Sequence, residues 1–132
     1  MRISTRTRYG LRAMIDLSSH SSHSKPILLK DISRRLRVSL KYLDHIITSL
    51  KCAGFIKNAR GGHGGYILSR PPNKIYVSEI VEALEGSLSP LECVDMPHVC
   101  RYSKNCGARK IWQKMKESLK NALNINLNII AK

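Results

Sequence analysis

Two short amphipathic helical patterns, separated by only three residues, constrain the fold of this chain most strongly. In residues 29–36 one side of a predicted helix carries Leu29, Ile32, Ser33 and Leu36. In residues 40–53 a single apolar stripe is formed by Leu43, Ile46, Ile47 and Leu50. Ser39 is a favourable N-cap, and Gly54 stands where a helix C′ residue is expected. The pair is typical of a helix-turn-helix, although periodicity alone also fits an ordinary helical hairpin.

The next segment predicts a β-hairpin. Phe55–Arg60 (FIKNAR) and Tyr66–Arg70 (YILSR) are strand-like, and the GGHGG turn between them can adopt positive φ angles. A helix-turn-helix followed by a basic hairpin indicates a winged helix. In that arrangement the second helix reads base edges in a DNA major groove, and the hairpin tip reaches the backbone or minor groove. The predicted fold is therefore mainly α with a small β-hairpin wing.

Three further helices are predicted around this unit. The first spans Thr7–Ser19, and a later one spans Glu79–Leu84, with Ser78 as its cap and Gly86 at its end. A long helical pattern then runs from Ala108 to Ile130, with an apolar stripe through Ile111, Met115 and Leu119. A helix of that length has no room in so small a globule, so we expect its stripe to meet a second subunit.

The charge of the chain is concentrated in its first half. The 132 residues include 23 Lys and Arg against 9 Asp and Glu, a formal net charge of +14. Residues 1–70 hold 14 basic and 3 acidic side chains, whereas residues 71–132 hold 9 and 6. A charge that only improves solubility would be spread more evenly, so this asymmetry favours a polyanionic partner. Because the chain has neither a signal-like start nor an apolar run of membrane-spanning length, we expect a soluble, cytoplasmic protein.

Three of the four cysteines, Cys93, Cys100 and Cys106, lie close together with the spacing C-x6-C-x5-C. Four cysteines are few for a disulfide scaffold, and the clustering of three of them is typical of metal-binding thiols. Soft thiolates select iron–sulfur clusters, zinc or cuprous copper. Cys52 falls on the third predicted helix, where we expect a small core residue. No hydrolytic or phosphate-binding motif occurs, so we do not expect an enzyme.

Taken together, these stretches resemble the small bacterial winged-helix repressors related to the iron–sulfur cluster regulator IscR and the nitric oxide sensor NsrR. The resemblance extends to about residue 120 and rests on MRISTRTRYGLRAMIDL, ISRRLRVSLKYLDHIITSLKCAGFI, RGGHGGYILSRP, VSEIVEALEGSLSPLEC and the three cysteines before the last helix. It implies a homodimer on a partly palindromic operator, with crossed C-terminal helices. It further implies DNA contacts by Ser39, Lys41, Tyr42, Asp44 and His45, and in the wing by Arg60, Gly61, Gly62, His63, Gly64 and Gly65.

The same resemblance implies an iron–sulfur cluster, [2Fe–2S] or [4Fe–4S], held by Cys93, Cys100 and Cys106. Two positions depart from the family pattern, because Arg109 stands where some relatives have a ligating histidine and Arg8 where others have an acidic ligand. The fourth ligand therefore stays open between His98, Asp95, Glu92, a histidine at 20–23 of the partner subunit, and a small thiol. Zinc held by His98 and the three cysteines, or thiols acting without a metal, are the alternatives.

These features divide the chain into a winged helix-turn-helix at 1–86, a cysteine loop at 87–107 and a dimerisation helix at 108–132. The leading hypothesis is a transcriptional regulator, expected to be a repressor, whose affinity for its operator is controlled by a cluster that senses iron, oxygen, nitric oxide or redox state. One alternative is a cluster-free regulator that acts through a partner protein or thiol oxidation. A small iron–sulfur electron carrier is another, but such a carrier needs no helix-turn-helix.

Overall fold

A computed structural model of the chain describes residues 2–20, 25–61 and 64–131. Its helices and strands follow one another as α1 (Thr5–His20), α2 (Leu29–Leu36), α3 (Leu40–Cys52), β1 (Ile56–Asn58), β2 (Tyr66–Leu68), α4 (Val77–Glu85), α5 (Glu92–Asp95), α6 (Gly107–Ala122) and α7 (Leu127–Ile130). Single turns of 3-10 helix cover Pro72–Lys74, Pro97–Val99 and Ser103–Asn105. The mainly helical architecture with one hairpin is as predicted.

The hydrophobic core lies where α1, α3 and α4 meet. Its fully buried side chains include Met14 and Leu17 of α1, together with Ile46, Leu50 and Ile80. Gly10 of α1 lies so close to Leu84 of α4 that any side chain at this position would collide with it. The core therefore fixes α3 against α1 and α4 and leaves the opposite side of α3 free.

The turn between α2 and α3 is set by local hydrogen bonds. Arg37 adopts a left-handed conformation with φ of 55°, and the Val38 amide donates to the Ser33 carbonyl at 3.2 Å. The Ser39 hydroxyl then accepts from the Tyr42 amide at 3.1 Å, which confirms Ser39 as the N-cap of α3. A helix-turn-helix is thus formed as expected from the sequence.

The wing is a two-stranded antiparallel hairpin with Ile56 opposite Leu68 and Asn58 opposite Tyr66. The preceding segment adds to it, because Ile27 and Tyr66 exchange both backbone hydrogen bonds, at 3.0 and 2.8 Å. Gly65, with φ of 100°, lies against the Ile27 backbone, where a Cβ would be 3.2 Å from its carbonyl oxygen. The hairpin is therefore fastened to the body at its base.

The C-terminal region differs from the sequence prediction. The helix expected from Ala108 to Ile130 is interrupted, because α6 ends at Ala122 and the chain reverses before α7. The Leu127 amide donates to the Ile75 carbonyl at 2.8 Å, and the Leu127 side chain is fully buried. The Asn126 side chain caps α7 by accepting from the Ile129 amide at 3.2 Å. This end of the chain consequently belongs to the core.

Helix α4 also begins earlier than predicted. Its first residue is Val77, and the cap predicted at Ser78 is wrong, since the Ser78 amide instead donates to the Leu123 carbonyl at 3.0 Å. The Glu79 carboxylate accepts from the Tyr76 amide at 2.9 Å and so closes the first turn.

Among the described residues, no helix combines the length and the apolar character that crossing a membrane requires.

Candidate nucleic-acid interface and cysteine segment

The outer side of α3 presents a row of polar side chains to solvent. Of the five residues between positions 39 and 45 that were predicted to contact DNA, three project from it, namely Lys41, Asp44 and His45, all exposed. Exposed Thr48, one turn further along, was missed by sequence reasoning; its hydroxyl donates to the Asp44 carbonyl at 2.8 Å. Thr48 follows His45 by three residues and Asp44 by four, so helical spacing alone could have placed it on the same face of α3.

The other two predicted residues of α3 have local roles as well. The Ser39 side chain is exposed but engaged in its cap, so it orients the first turn of α3. Tyr42 is half-buried and packs edge-to-face on Tyr9 of α1, with ring centroids 6.1 Å apart and an interplanar angle of 88°. Tyr42 therefore fixes α3 against α1.

The wing places a cation beside a turn that only glycine accommodates easily. Arg60 is exposed, and the Ala59 amide closes the hairpin by donating to the Gly65 carbonyl at 3.0 Å. Gly61 and Gly64 have φ angles of 121° and 71°, both in the left-handed half of conformational space. Gly62 and His63, which were also predicted to contact DNA, lie outside the described residues.

The cysteine segment (residues 87–107) connects α4 to α6. Cys93 lies on α5, Cys100 follows the turn Pro97–Val99, and Cys106 immediately precedes α6. All three thiols are free and half-buried. Within the described residues, no three His, Cys, Asp or Glu side chains already converge as a metal site. Cys52 is exposed at the end of α3, so the prediction that it is a core residue was wrong.

Two anchors hold this segment against α6. The Arg109 guanidinium donates to the Cys93 carbonyl at 2.9 Å and to the Val94 carbonyl at 3.3 Å. Asp95 accepts from Lys116 at 2.5 Å, from the Ser89 hydroxyl at 2.6 Å and from the Ser87 hydroxyl. Lys116 first, and then the two serines, hold the pKa of Asp95 well below its usual value. The Asp95 carboxylate is thus ionised and fully engaged.

A buried hydroxyl lies between two of the cysteines. Ser103 is three residues from both Cys100 and Cys106, and its amide donates to the Cys100 carbonyl at 3.1 Å. Its side-chain oxygen is buried and has no hydrogen-bond partner within the described part of the chain. A buried hydroxyl without a partner is unfavourable, so the Ser103 hydroxyl is free to make a further hydrogen bond.

Helix α6 carries its apolar residues in two environments. Leu119 is half-buried and packs with Val77, Val81 and Leu88 of its own chain. Ile111 and Met115 remain 58% and 43% exposed, and they line an open groove together with Lys114, Ser118 and Leu119. Leu119 thus contacts its own chain and also borders the groove, whereas the most exposed part of the predicted stripe is the first half of α6.

A helix-turn-helix, a wing with an exposed arginine, and a strongly basic first half together define a winged-helix DNA-binding protein. The sequence model of the Rrf2 family, described as an iron-dependent transcriptional regulator, matches residues 3–132. The chain belongs to the Rrf2 family of transcriptional regulators.

Individual relatives agree with this assignment. The chain is 37% identical to protein rrf2 of Nitratidesulfovibrio vulgaris over 124 residues, covering 94% of this chain and 82% of that protein. The structure of CymR, described as the global cysteine regulator of B. subtilis, matches with a TM-score of 0.79 and 32% identity, covering 99% of this chain and 96% of that one. The structure of T. potens IscR matches with a TM-score of 0.76 and 35% identity, covering 98% and 86%.

Proposed function

We propose that this regulator represses transcription as a homodimer on operator DNA, and that an iron–sulfur cluster held by Cys93, Cys100 and Cys106 controls its affinity for the operator. The observation that carries the proposal is the placement of three free, half-buried thiols on one segment between the DNA-binding body and α6. A cluster would supply reversible, redox-sensitive coordination at this point.

The donor set of the segment fits such a group. Three soft thiolates suit iron, and the unpartnered Ser103 hydroxyl is available as a hydrogen-bond donor to sulfur. Among the described residues the three thiols do not form a ready-made metal site, so we expect cluster binding to be accompanied by a rearrangement of the segment.

The fourth ligand is restricted by the contacts of the two anchors. Arg109 cannot replace a ligating histidine, because a guanidinium has no free lone pair, and here it binds two carbonyls. Asp95 already satisfies three donors. The exposed residues His98 and Glu92, a histidine at 20–23 of the partner subunit, and a small thiol remain as candidates.

The path from the cysteine segment to the DNA runs through α6 and α4. Arg109 and Lys116 connect the segment to α6, and Lys120 of α6 pairs with Glu82 of α4 at 3.2 Å. Helix α4 in turn packs on α1 and α3 in the core. A shift of the segment therefore acts on the helices that position α3.

A second candidate function is regulation by the thiols without a metal. It is favoured by the lack of a converged metal site in the described residues and by the similarity to CymR, which is described as a cysteine regulator. In this case oxidation of the cysteines, or a partner protein, would control DNA binding. Zinc held by the cysteines and His98 is a third possibility for the same segment.

The experiment that separates these functions is anaerobic purification, followed by absorption spectroscopy and assays of iron, sulfide and zinc. We expect a brown protein with iron and acid-labile sulfide. Cys93→Ser, Cys100→Ser and Cys106→Ser should each lose the visible absorption, whereas Cys52→Ser, the matched control, should keep it. Colourless protein that contains neither iron nor sulfide after anaerobic reconstitution would reject the cluster and leave zinc or thiol regulation.

A further inference from the structure

Helix α1 carries a cluster of three exposed arginines near its N-terminus. Its first eight residues include Arg6, Arg8 and Arg12, all exposed, and its first turn contains no acidic residue. Cations in the first turn of a helix, here Arg6, are unfavourable because the helix dipole is positive there. The sequence therefore keeps positive charge at the start of α1, where folding alone would favour a carboxylate.

The three arginines are not equivalent. Arg6 donates to the Ser49 hydroxyl of α3 at 2.5 Å, and its charge contributes to lowering the pKa of Glu85, for which the main cause is the hydrogen bond from the Ser4 amide. Arg8 and Arg12 have no carboxylate within 4 Å among the described residues. Within the part of the chain that the structure describes, these two guanidinium groups are thus without a carboxylate partner.

Both of these guanidinium groups are held on one aromatic ring. The central carbons of Arg8 and Arg12 lie 5.2 and 5.3 Å from the centroid of the Tyr9 ring. Tyr9 itself packs edge-to-face on Tyr42 in the first turn of α3. Stacking restricts the long side chains while leaving N–H groups free to donate, so the pair is preorganised for an anionic ligand.

The position of Arg8 and Arg12 beside α3 indicates which anionic group they would bind. Tyr42, His45 and Ser49 follow one another along one side of α3, and two of them contact α1 through Tyr9 and Arg6. The arginine pair therefore borders the face of α3 that presents Lys41 and His45 to DNA. A helix in the major groove is flanked by the phosphates of both strands, and planar guanidinium groups bind phosphate oxygens in pairs.

We propose that Arg8 and Arg12, stacked on Tyr9, form a second phosphate contact of the DNA-binding domain, beside the groove entered by α3. This contact adds affinity for DNA of any sequence and fixes the tilt of α3 through the Tyr9–Tyr42 packing. It depends on DNA binding by the helix-turn-helix.

The test compares Arg8→Gln/Arg12→Gln with wild type on a labelled duplex of mixed sequence, about 30 base pairs long, over a range of salt concentrations. We expect roughly tenfold weaker binding and a slope of log affinity against log salt that is smaller in magnitude by about 1 or more. Arg8→Lys/Arg12→Lys should retain most of the slope because the charge is kept. Circular dichroism and thermal unfolding establish that the variants are folded.

The matched control is Lys74→Gln/Lys110→Gln, which removes the same charge from two exposed positions outside α1, α3 and the wing. We expect its salt slope to stay within experimental error of wild type. A folded Arg8→Gln/Arg12→Gln protein with the wild-type slope would overturn the proposal. An equal loss of affinity and of salt slope in Lys74→Gln/Lys110→Gln would also overturn it, because the effect would then depend only on net charge. The variants are compared with wild type in samples of equal iron and sulfide content, because Arg8 stands where some relatives have an acidic cluster ligand.

Discussion

Asp16 shows how much one residue contributes to the position of the recognition unit. Among the described residues it is the only charged side chain that is buried, and the Arg35 guanidinium binds both of its carboxylate oxygens at 2.7 Å. This bidentate pair joins α1 to α2. A buried carboxylate without its partner is strongly destabilising, so the pair is required even if its net contribution is small.

Replacing Arg35 with Ala should therefore lower the free energy of unfolding by about 3 kcal/mol, at the lower end for buried pairs because the Arg35 side chain is 30% exposed. Urea denaturation followed by circular dichroism measures the change. The control is Arg34→Ala, which removes an exposed arginine paired with Asp31 at 3.1 Å and should cost less than about 1 kcal/mol. Equal effects of the two substitutions would contradict the role given to Asp16.

At the scale of the elements, the wing and α3 are the surfaces that we expect to meet DNA, and Arg60 is an exposed cation beside the turn of the wing. Arg60→Ala should weaken operator binding roughly tenfold at moderate salt without changing thermal stability, because the side chain is exposed to solvent. Fluorescence anisotropy with labelled operator DNA measures the effect. Lys74→Ala, at an exposed position outside the wing, should bind as wild type does. Unchanged affinity of Arg60→Ala would remove the wing from the interface.

Helix α6 should dimerise through its exposed first half. Ile111 and Met115 together leave apolar area in contact with water, and burial is favourable by about 25 cal/mol per Å². Met115→Lys is therefore expected to give monomers in sedimentation velocity at micromolar concentration. Ile129→Lys makes the same kind of change at a 61% exposed position of α7 and should leave the dimer intact. A wild-type protein that sediments as a monomer would contradict the dimer.

The elements that the sequence predicted well are those determined by neighbouring residues. Ser39 caps the helix that follows it, and the glycines between Phe55 and Tyr66 allow the reversal of the hairpin. The break in the last helix was not predictable in this way, because Leu127 leaves the helical path to fill a core site beside Ile75. An apolar stripe does not reveal which of its residues pack on the same chain.

In the cysteine segment too, local sequence predicted some features, whereas others depend on contacts with distant residues. The spacing of Cys93, Cys100 and Cys106 indicated their shared chemistry, whereas their support comes from Arg109 and from residues of α6. No local pattern reports that Asp95 binds a lysine 21 residues later. The exposure of Cys52 likewise depends on which face of α3 the core covers.

At the scale of the whole molecule, a basic DNA-binding half is joined to a nearly balanced half that carries the cysteines and α6. The two halves share the packing of α4, α6 and α7, so they do not move independently. In the proposed dimer, we therefore expect a change at the cysteine segment to alter the relation between the two recognition helices. A coupling of only about 1.4 kcal/mol between the segment and the DNA changes affinity tenfold.

The most direct test of this account is the affinity of matched cluster-containing and cluster-free samples for the DNA upstream of the protein's own gene, at one salt concentration. Anaerobic fluorescence anisotropy should give dissociation constants that differ by about tenfold or more. In Cys100→Ser, the same cluster-removal treatment should change nothing. Equal affinities of the two wild-type samples, on this DNA and on other operators selected from genomic fragments, would contradict control by the cysteine segment even if the protein contains iron.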